Sequence, residues 1–394
     1  MSGIRSNHYP LTGVAKTNEH ASQKEHRMKK LALISVYMDQ NTPAQQLLDR
    51  CLTGWPSEGR FVESPFESVL VHGLSRKKLL ESRKEAPKLV VMDNMKDVLK
   101  EADCWIIAPG KENSWACCTQ YTHYIADNYG ANKPGWVVGP SGGLSQEVMS
   151  SFVNDGRMLV QYSTPLPWSW RLPEQDIPFG AALNEVVVLV RGAFPYAEQE
   201  GLDALLALTA HRRGGESGIS KITQLEGAQV WKAAREGRFS WEVFSAAVSR
   251  TNSKLGDATI DGRTQDIVGL GMIPNMAKGT RAWILDHTDG LKSTIITMDG
   301  VLNDDHFAAQ TKDGNVVSAQ FYRPPKPNDH QYSRLMERIV PFLAGKEAAW
   351  PLERTFLWST VLNNMQTMKR EKTAELNWSG DTFAYSVNSP VWKP

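Results

Sequence analysis

The sequence predicts a two-part fold: an α/β domain built on a parallel sheet, then an α+β domain with an open, mostly antiparallel sheet. Three observations predict it. Between Lys88 and Gly143, apolar runs at 88–92, 104–108 and 135–138 alternate with helical spacing over 93–102 and 115–129. Strands buried on both faces read as such continuous runs, and helical crossovers between them make the sheet parallel. Between residues 281 and 322, four short apolar segments are punctuated by Gly290, Gly300 and Asp313-Gly314, the chemistry of hairpin turns. The length of 394 residues suits two domains. The expected division is 29–160 and 161–394, with 1–28 as a leading extension.

The elements follow in order. Residues 1–28 are polar, carry no apolar core segment and do not read as a secretory signal; a disordered extension is expected. Met28-Lys-Lys-Leu-Ala-Leu-Ile-Ser35 looks like the start of structure, with a strand over 30–37 and a helix over 43–52 capped by Thr42. The turn between them, from Ser35 to Pro43, contains no glycine. A strand at 68–72 and a helix at 75–85 follow. The basic start of that helix, Arg76-Lys77-Lys78, reads as a solvated face or a phosphate contact. The central block then ends at Gly139-Pro-Ser-Gly-Gly143, a tight turn or an anion-binding loop. This half is Rossmann-like. In such sheets ligands bind at the carboxyl ends of the strands. Here those ends bring Ser35, Tyr37, Asp93, Pro109, Gly110 and Gly139 toward one rim.

A helix at 146–154 and a strand at 159–162 close the first half. Residues 163–173 pack three prolines and two tryptophans, Trp168 and Trp170, into a domain crossing or cleft wall. The second half reads as a strand at 185–191, a helix at 201–211, a charged turn from His211 to Gly218 and a strand at 219–225. Helices at 227–236 and 240–250 come next, then a long excursion over 252–279, the four late strands, and helices at 332–344 and 352–369. Trp378, Phe383, Tyr385 and Trp392 predict a tail that packs back.

Composition narrows the function classes. A net charge of +1 makes no global case for nucleic acid or an acidic membrane surface. No apolar run reaches the roughly 18 residues of a spanning helix. Cys51, Cys104, Cys117 and Cys118 lack zinc-site spacing and read as free thiols of a reducing, cytoplasmic compartment. No metal site is expected, although Asn303-Asp-Asp-His306 gathers oxygen and nitrogen donors.

Several polar residues are candidates for chemistry. Asp203 and His211 lie eight positions apart on one helical segment, about 12 Å by rise, where both can line a cleft as base and electrostatic partner; a capped helix end with a surface histidine is the alternative. Arg212 and Glu216 suit a carboxylate or sugar hydroxyls, or form a solvated turn. His287, in a hairpin turn, is a third catalytic candidate. Trp168 and Trp170 are candidate substrate contacts.

The layout resembles the glucose–fructose oxidoreductase/inositol dehydrogenase family. The resemblance runs over residues 29–370. Ala102-Asp-Cys-Trp-Ile-Ile-Ala-Pro109 resembles the strand that ends in a proline beside the nicotinamide. Ala131-Asn-Lys-Pro134 to Gly143 resembles the approach to the family's E-K-P loop, and 300–322 with 334–351 resembles its closing sheet and helix. The resemblance implies NAD or NADP at Ser35, Tyr37, Asp93, Pro109, Gly110 and Gly139. It also implies a carbohydrate-like substrate oxidised at a hydroxyl, and a homo-oligomer formed through the open sheet. A non-redox sugar-active enzyme of lyase or hydrolase type, or a non-catalytic subunit, is the alternative. Two departures carry it: the glycine fingerprint of the first turn is missing, and Val138-Gly139-Pro140 puts glycine where the family has its lysine.

Overall fold

A computed structural model describes residues 30–35, 38, 40–72, 83, 85–110, 115–129, 132–139, 146–154, 157–253, 267–324, 329–346, 348–378 and 383–389. The leading extension, Tyr37, Arg76 to Lys78, Pro140 to Gly143 and Trp392 lie outside them.

In the first half the chain forms β1 (Lys30–Ile34), α1 (Pro43–Thr53), β2 (Gly54–Ser57), β3 (Arg60–Glu63), β4 (Ser68–His72), β5 (Leu89–Val91), α2 (Met95–Glu101), β6 (Cys104–Ile107), α3 (Trp115–Tyr129), β7 (Gly135–Val137), α4 (Gln146–Ser150), β8 (Val153–Asn154), β9 (Arg157–Met158) and β10 (Val160–Tyr162). Six of these strands make one parallel sheet in the order β10-β7-β6-β1-β4-β5. From β1 the chain moves outward to β4 and β5, then returns on the other side through β6. The switch point therefore falls between β1 and β6. Leu31 and Leu33 bury against α1, while Ala32 and Ile34 bury on the opposite face. This two-sided burial is why β1 reads as a continuous apolar run. The β2–β3 hairpin was not expected.

Close packing in this sheet depends on Gly135. A Cβ added there would sit 2.1 Å from the Trp105 ring, which is itself buried. Gly135→Ala is expected to cost at least about 1–3 kcal/mol by overpacking, read as a lowered urea midpoint; an unchanged midpoint would show that Trp105 can yield. Cys51 and Cys104 are fully buried, and burial pushes both thiols up. They are expected to stay silent to a thiol reagent until the fold opens.

The second half opens with a short 3-10 turn (Leu166–Trp168) and forms β11 (Trp170–Leu172), β12 (Leu183–Val190), α5 (Tyr196–Thr209), β13 (Ile219–Glu226), α6 (Ala228–Arg235), α7 (Trp241–Val248), α8 (Ile273–Met276), β14 (Arg281–His287), β15 (Lys292–Thr297), β16 (Asp305–Thr311), β17 (Val316–Tyr322), α9 (His330–Leu343), α10 (Leu352–Glu371) and β18 (Glu375–Asn377). Eight strands form one sheet, ordered β11-β17-β16-β12-β15-β14-β13-β18. It is mostly antiparallel, with one parallel pair, β12 and β15. The late strands are not four in succession by hairpins. β12 inserts between β15 and β16, because it is apolar on both faces: Val186, Val188 and Val190 point to one core, Val187 and Leu189 to another. Helix α5 starts at Tyr196, five residues before the expected start, directly after Pro195.

Both faces of this sheet are covered. Helices α5 and α10 pack on one face. On the other, Trp231, Val243, Phe244 and Ala247 of α6 and α7 bury against Val187, Leu189, Ile284 and Ile296. Gly201 lets α5 approach: a Cβ there would lie 2.9 Å from Ile295.

Candidate functional site

The carboxyl edge of the parallel sheet is the first place to look for a ligand. Ser35, Pro109, Gly110 and Gly139 are buried there, and Asp93 is exposed beside β5. A dinucleotide-binding turn offers its pyrophosphate free backbone amides at the start of the first helix. In this chain those amides are occupied. Pro43 has no N–H. Ala44 N donates to the Pro109 carbonyl at 3.2 Å, Gln45 N to Thr42 Oγ1 at 3.3 Å, and Gln46 N to Thr42 O at 3.0 Å. Asn41 N, in a left-handed residue with φ of 62°, donates to Gln45 Oε1. The Ala44–Pro109 bond joins α1 to the segment after β6, across the switch point itself. The described residues of this turn therefore do not fit a pyrophosphate.

Asp203 sits elsewhere, in a sealed cluster between the two sheets. Its Oδ1 pairs with Arg354 at 2.6 Å, and both side chains are fully buried. Its Oδ2 accepts from Thr164 N (2.6 Å), Thr164 Oγ1 (2.8 Å) and Ser163 Oγ (3.1 Å), the residues directly after β10. Arg354 lies 3.9 Å over the Trp350 ring. Trp168 joins the cluster: it is buried, its indole N–H donates to Ser163 Oγ at 2.9 Å, and its ring packs on Trp350 at 4.9 Å. Trp170 is separate. It is 40% exposed on the edge strand β11 and meets the His330 ring edge-on at 5.2 Å.

His211 is brought to neither Asp203 nor His287. Its Nε2 lies 3.3 Å from the Ile177 carbonyl, and its ring stacks on Phe179. Burial pushes its pKa down, so the ring is held neutral.

Arg212, Glu216 and His287 do come together. Arg212 clamps Glu216 with Nη1 to Oε2 at 2.9 Å and Nη2 to Oε1 at 3.1 Å, and its Nε donates to Asp289 at 2.9 Å. Glu216 Oε1 also lies 2.9 Å from His287 Nδ1, and His287 Nε2 lies 2.7 Å from Ser293 Oγ. Burial alone would raise the Glu216 pKa; the His287 and Arg212 contacts outweigh it and hold the carboxyl well below its usual range. Ser293, His287 and Glu216 have the connectivity of a nucleophile–base–acid triad. Ser293 is fully buried, however, so its hydroxyl meets no substrate in this conformation. The C-terminal segment seals one side: Glu216 and Tyr385 exchange backbone hydrogen bonds at 2.7 and 3.0 Å.

An open cavity of about 180 Å³ lies at one end of the large sheet, where β12 and β17 finish and β16 begins. Arg191, Asn252, Asp304, Asp305, Tyr322 and Arg323 line it. Of these, only Asp304 and Asp305 fall in a sequence motif singled out above. Arg191 and Arg323 follow strands that end in ordinary apolar runs, and no linear signal marks them. Among the described residues, no group of His, Cys, Asp and Glu is arranged to hold a metal ion, and no helix is long and apolar enough to cross a membrane.

The myo-inositol dehydrogenase of Corynebacterium glutamicum ATCC 13032 superposes with a TM-score of 0.53 at 11% identity, over 90% of this chain and 100% of that one. A myo-inositol dehydrogenase from Lactobacillus casei, in complex with NAD(H) and myo-inositol, gives 0.57 at 8% identity over 93% and 100%. GenD2 from gentamicin A biosynthesis, in complex with NAD, gives 0.57 at 9% identity over 90% and 98%. No family model and no curated sequence matches the chain. The chain thus has the fold of the inositol dehydrogenases of the glucose–fructose oxidoreductase type, at an identity where fold alone is shared.

Proposed function

We propose that this chain is a non-redox member of the dehydrogenase fold. In this reading it binds a carbohydrate-like small molecule in a reducing compartment, as a lyase- or hydrolase-type enzyme or as a non-catalytic subunit, with 29–160 as its nucleotide-type domain and 161–394 as its ligand domain. The observation that carries it is the Ala44 N–H bound to the Pro109 carbonyl across the switch point. Gly139, in the position of the family's lysine, supports it: glycine has no side chain to orient a substrate hydroxyl. The carbohydrate class rests on the fold neighbours, one of which is in complex with myo-inositol.

The second reading is an NAD(P)-dependent oxidoreductase acting on a sugar, polyol or related hydroxyl compound. The fold match over nine-tenths of the chain, to structures in complex with NAD, favours it. In that reading Asp203, His211 and His287 would serve as catalytic groups, which requires the sealed contacts of Asp203 and His287 to open.

Titration of the full chain with NADH and NADPH, following energy transfer from its tryptophans, separates the two. No saturable signal is expected up to about 1 mM, the range of very weak binding. Saturation at micromolar cofactor would overturn the non-redox reading and restore the second.

A further inference from the structure

We infer that the cavity at the ends of β12 and β17 is a binding site for a small carboxylate-bearing molecule of the sugar-acid kind, held on Arg191 and Arg323. The carboxylate is argued from geometry alone; the sugar-acid choice rests on the carbohydrate reading above.

The acidic groups around this cavity are already engaged by the protein. Asp304 Oδ1 accepts from the Thr251 hydroxyl and lies 3.1 Å from His306 Nε2; its Oδ2 accepts from Asn252 N (2.6 Å) and Gln320 Nε2 (2.7 Å). Burial would raise the Asp304 pKa, but these donors hold it well below the usual range. Asp305 is 1% exposed; its Oδ1 accepts from Arg191 N at 3.1 Å, and its Oδ2 faces Arg323 Nε at 3.0 Å and Arg191 Nε at 3.5 Å. Glu200 takes Arg323 Nη2 at 2.6 Å.

The groups left over are mainly donors. Arg191 Nη1 donates to the Asn303 carbonyl, which leaves Nη2; Arg323 keeps Nη1; the Asn252 side-chain amide and the Tyr322 hydroxyl have no partner among the described residues. Two guanidinium groups are therefore anchored from behind by one buried carboxylate, with their outer edges at the cavity. A fork held in place this way has already lost its rotamer freedom, so less is lost when it takes a carboxylate. Three acids against two arginines leave one formal negative charge near the rim, but Asp304 accepts from Thr251, Asn252 and Gln320, and Asp305 and Glu200 are ion-paired to the arginines themselves. A cavity of about 180 Å³ suits a compact acid rather than a dinucleotide.

The test is calorimetric titration of the full chain with D-gluconate and D-glucuronate, beside D-glucose, myo-inositol and inorganic phosphate. Saturable binding of an acid is expected, weakening as salt rises, with the neutral sugars silent. Arg191→Gln is expected to lower that affinity about tenfold or more, the loss of one charge-assisted pair, in a variant whose cooperative melting transition shows it folded. Should Arg191→Gln fold poorly, Arg191→Lys, which keeps the charge and loses the fork, is expected to lose affinity several-fold. The inference is overturned if neither acid binds, if glucose or inositol binds as well as the acids, if phosphate alone binds, or if the folded Arg191 variant keeps wild-type affinity. None of these outcomes depends on NADH, so this site and the non-redox reading fail separately.

Discussion

Arg354→Ala is expected to destabilise the chain by about 3–5 kcal/mol, the usual cost of removing one partner from a buried ion pair. Asp203 would keep its three donors from Ser163 and Thr164 but lose its cation in a fully buried setting. The indole of Trp350 would lose the guanidinium 3.9 Å above it. Because the pair joins the segment after β10 to α5 and α10, the loss falls where the two sheets meet. Urea unfolding checks this through the midpoint, provided the transition stays two-state. Asp203→Asn should act in the same direction, and the double variant should cost less than the sum of the singles. A drop below about 1 kcal/mol for Arg354→Ala would mean that Asp203 is not held as this geometry implies. The same series bears on catalysis: a stability loss identifies Asp203 as a clasp, whereas lost activity at unchanged stability would return it to the candidate catalytic groups.

Glu216→Ala is expected to have a similar effect, again about 3–5 kcal/mol. It leaves Arg212 and His287 buried without their shared acceptor. The pH dependence follows from the same contacts. The folded-state pKa of Glu216 is depressed below that of an unfolded glutamate, near 4.3. Its contribution to stability is therefore fully present above that unfolded value and is lost as pH falls through the folded one. Stability measured at pH 7, 5, 4 and 3 should fall along the acid limb in the native chain. In Glu216→Gln the limb should be shallower, since the amide neither titrates nor gains from ionisation. An identical acid limb in both proteins would assign acid sensitivity to other carboxylates.

Much of the scaffold was legible because it rests on local periodicity. The apolar runs at 88–92, 104–108 and 135–138 became β5, β6 and β7, and Thr42 caps the helix it precedes. The glycine-free first turn was also visible. What the turn does with its amides was not, since the acceptor for Ala44 is Pro109, 65 residues away, and only folding brings it near. Likewise Arg212, Glu216 and His287 stood out as polar residues, but their burial depends on β13, β14 and the Tyr385 segment closing over them.

From its sequence alone this chain determined two sheets, the order of most of their elements, and the absence of the usual phosphate-binding glycines. Hydrophobic period and turn residues act over a few positions, so a linear reading captures them. The tertiary structure alone decided that β12 would enter the centre of the large sheet, that α6 and α7 would cover its second face, and that Arg191 and Arg323 would meet around Asp305. Those outcomes depend on strand order and on the pairing of Arg191 with Asp305, 114 positions apart, and no local pattern encodes either.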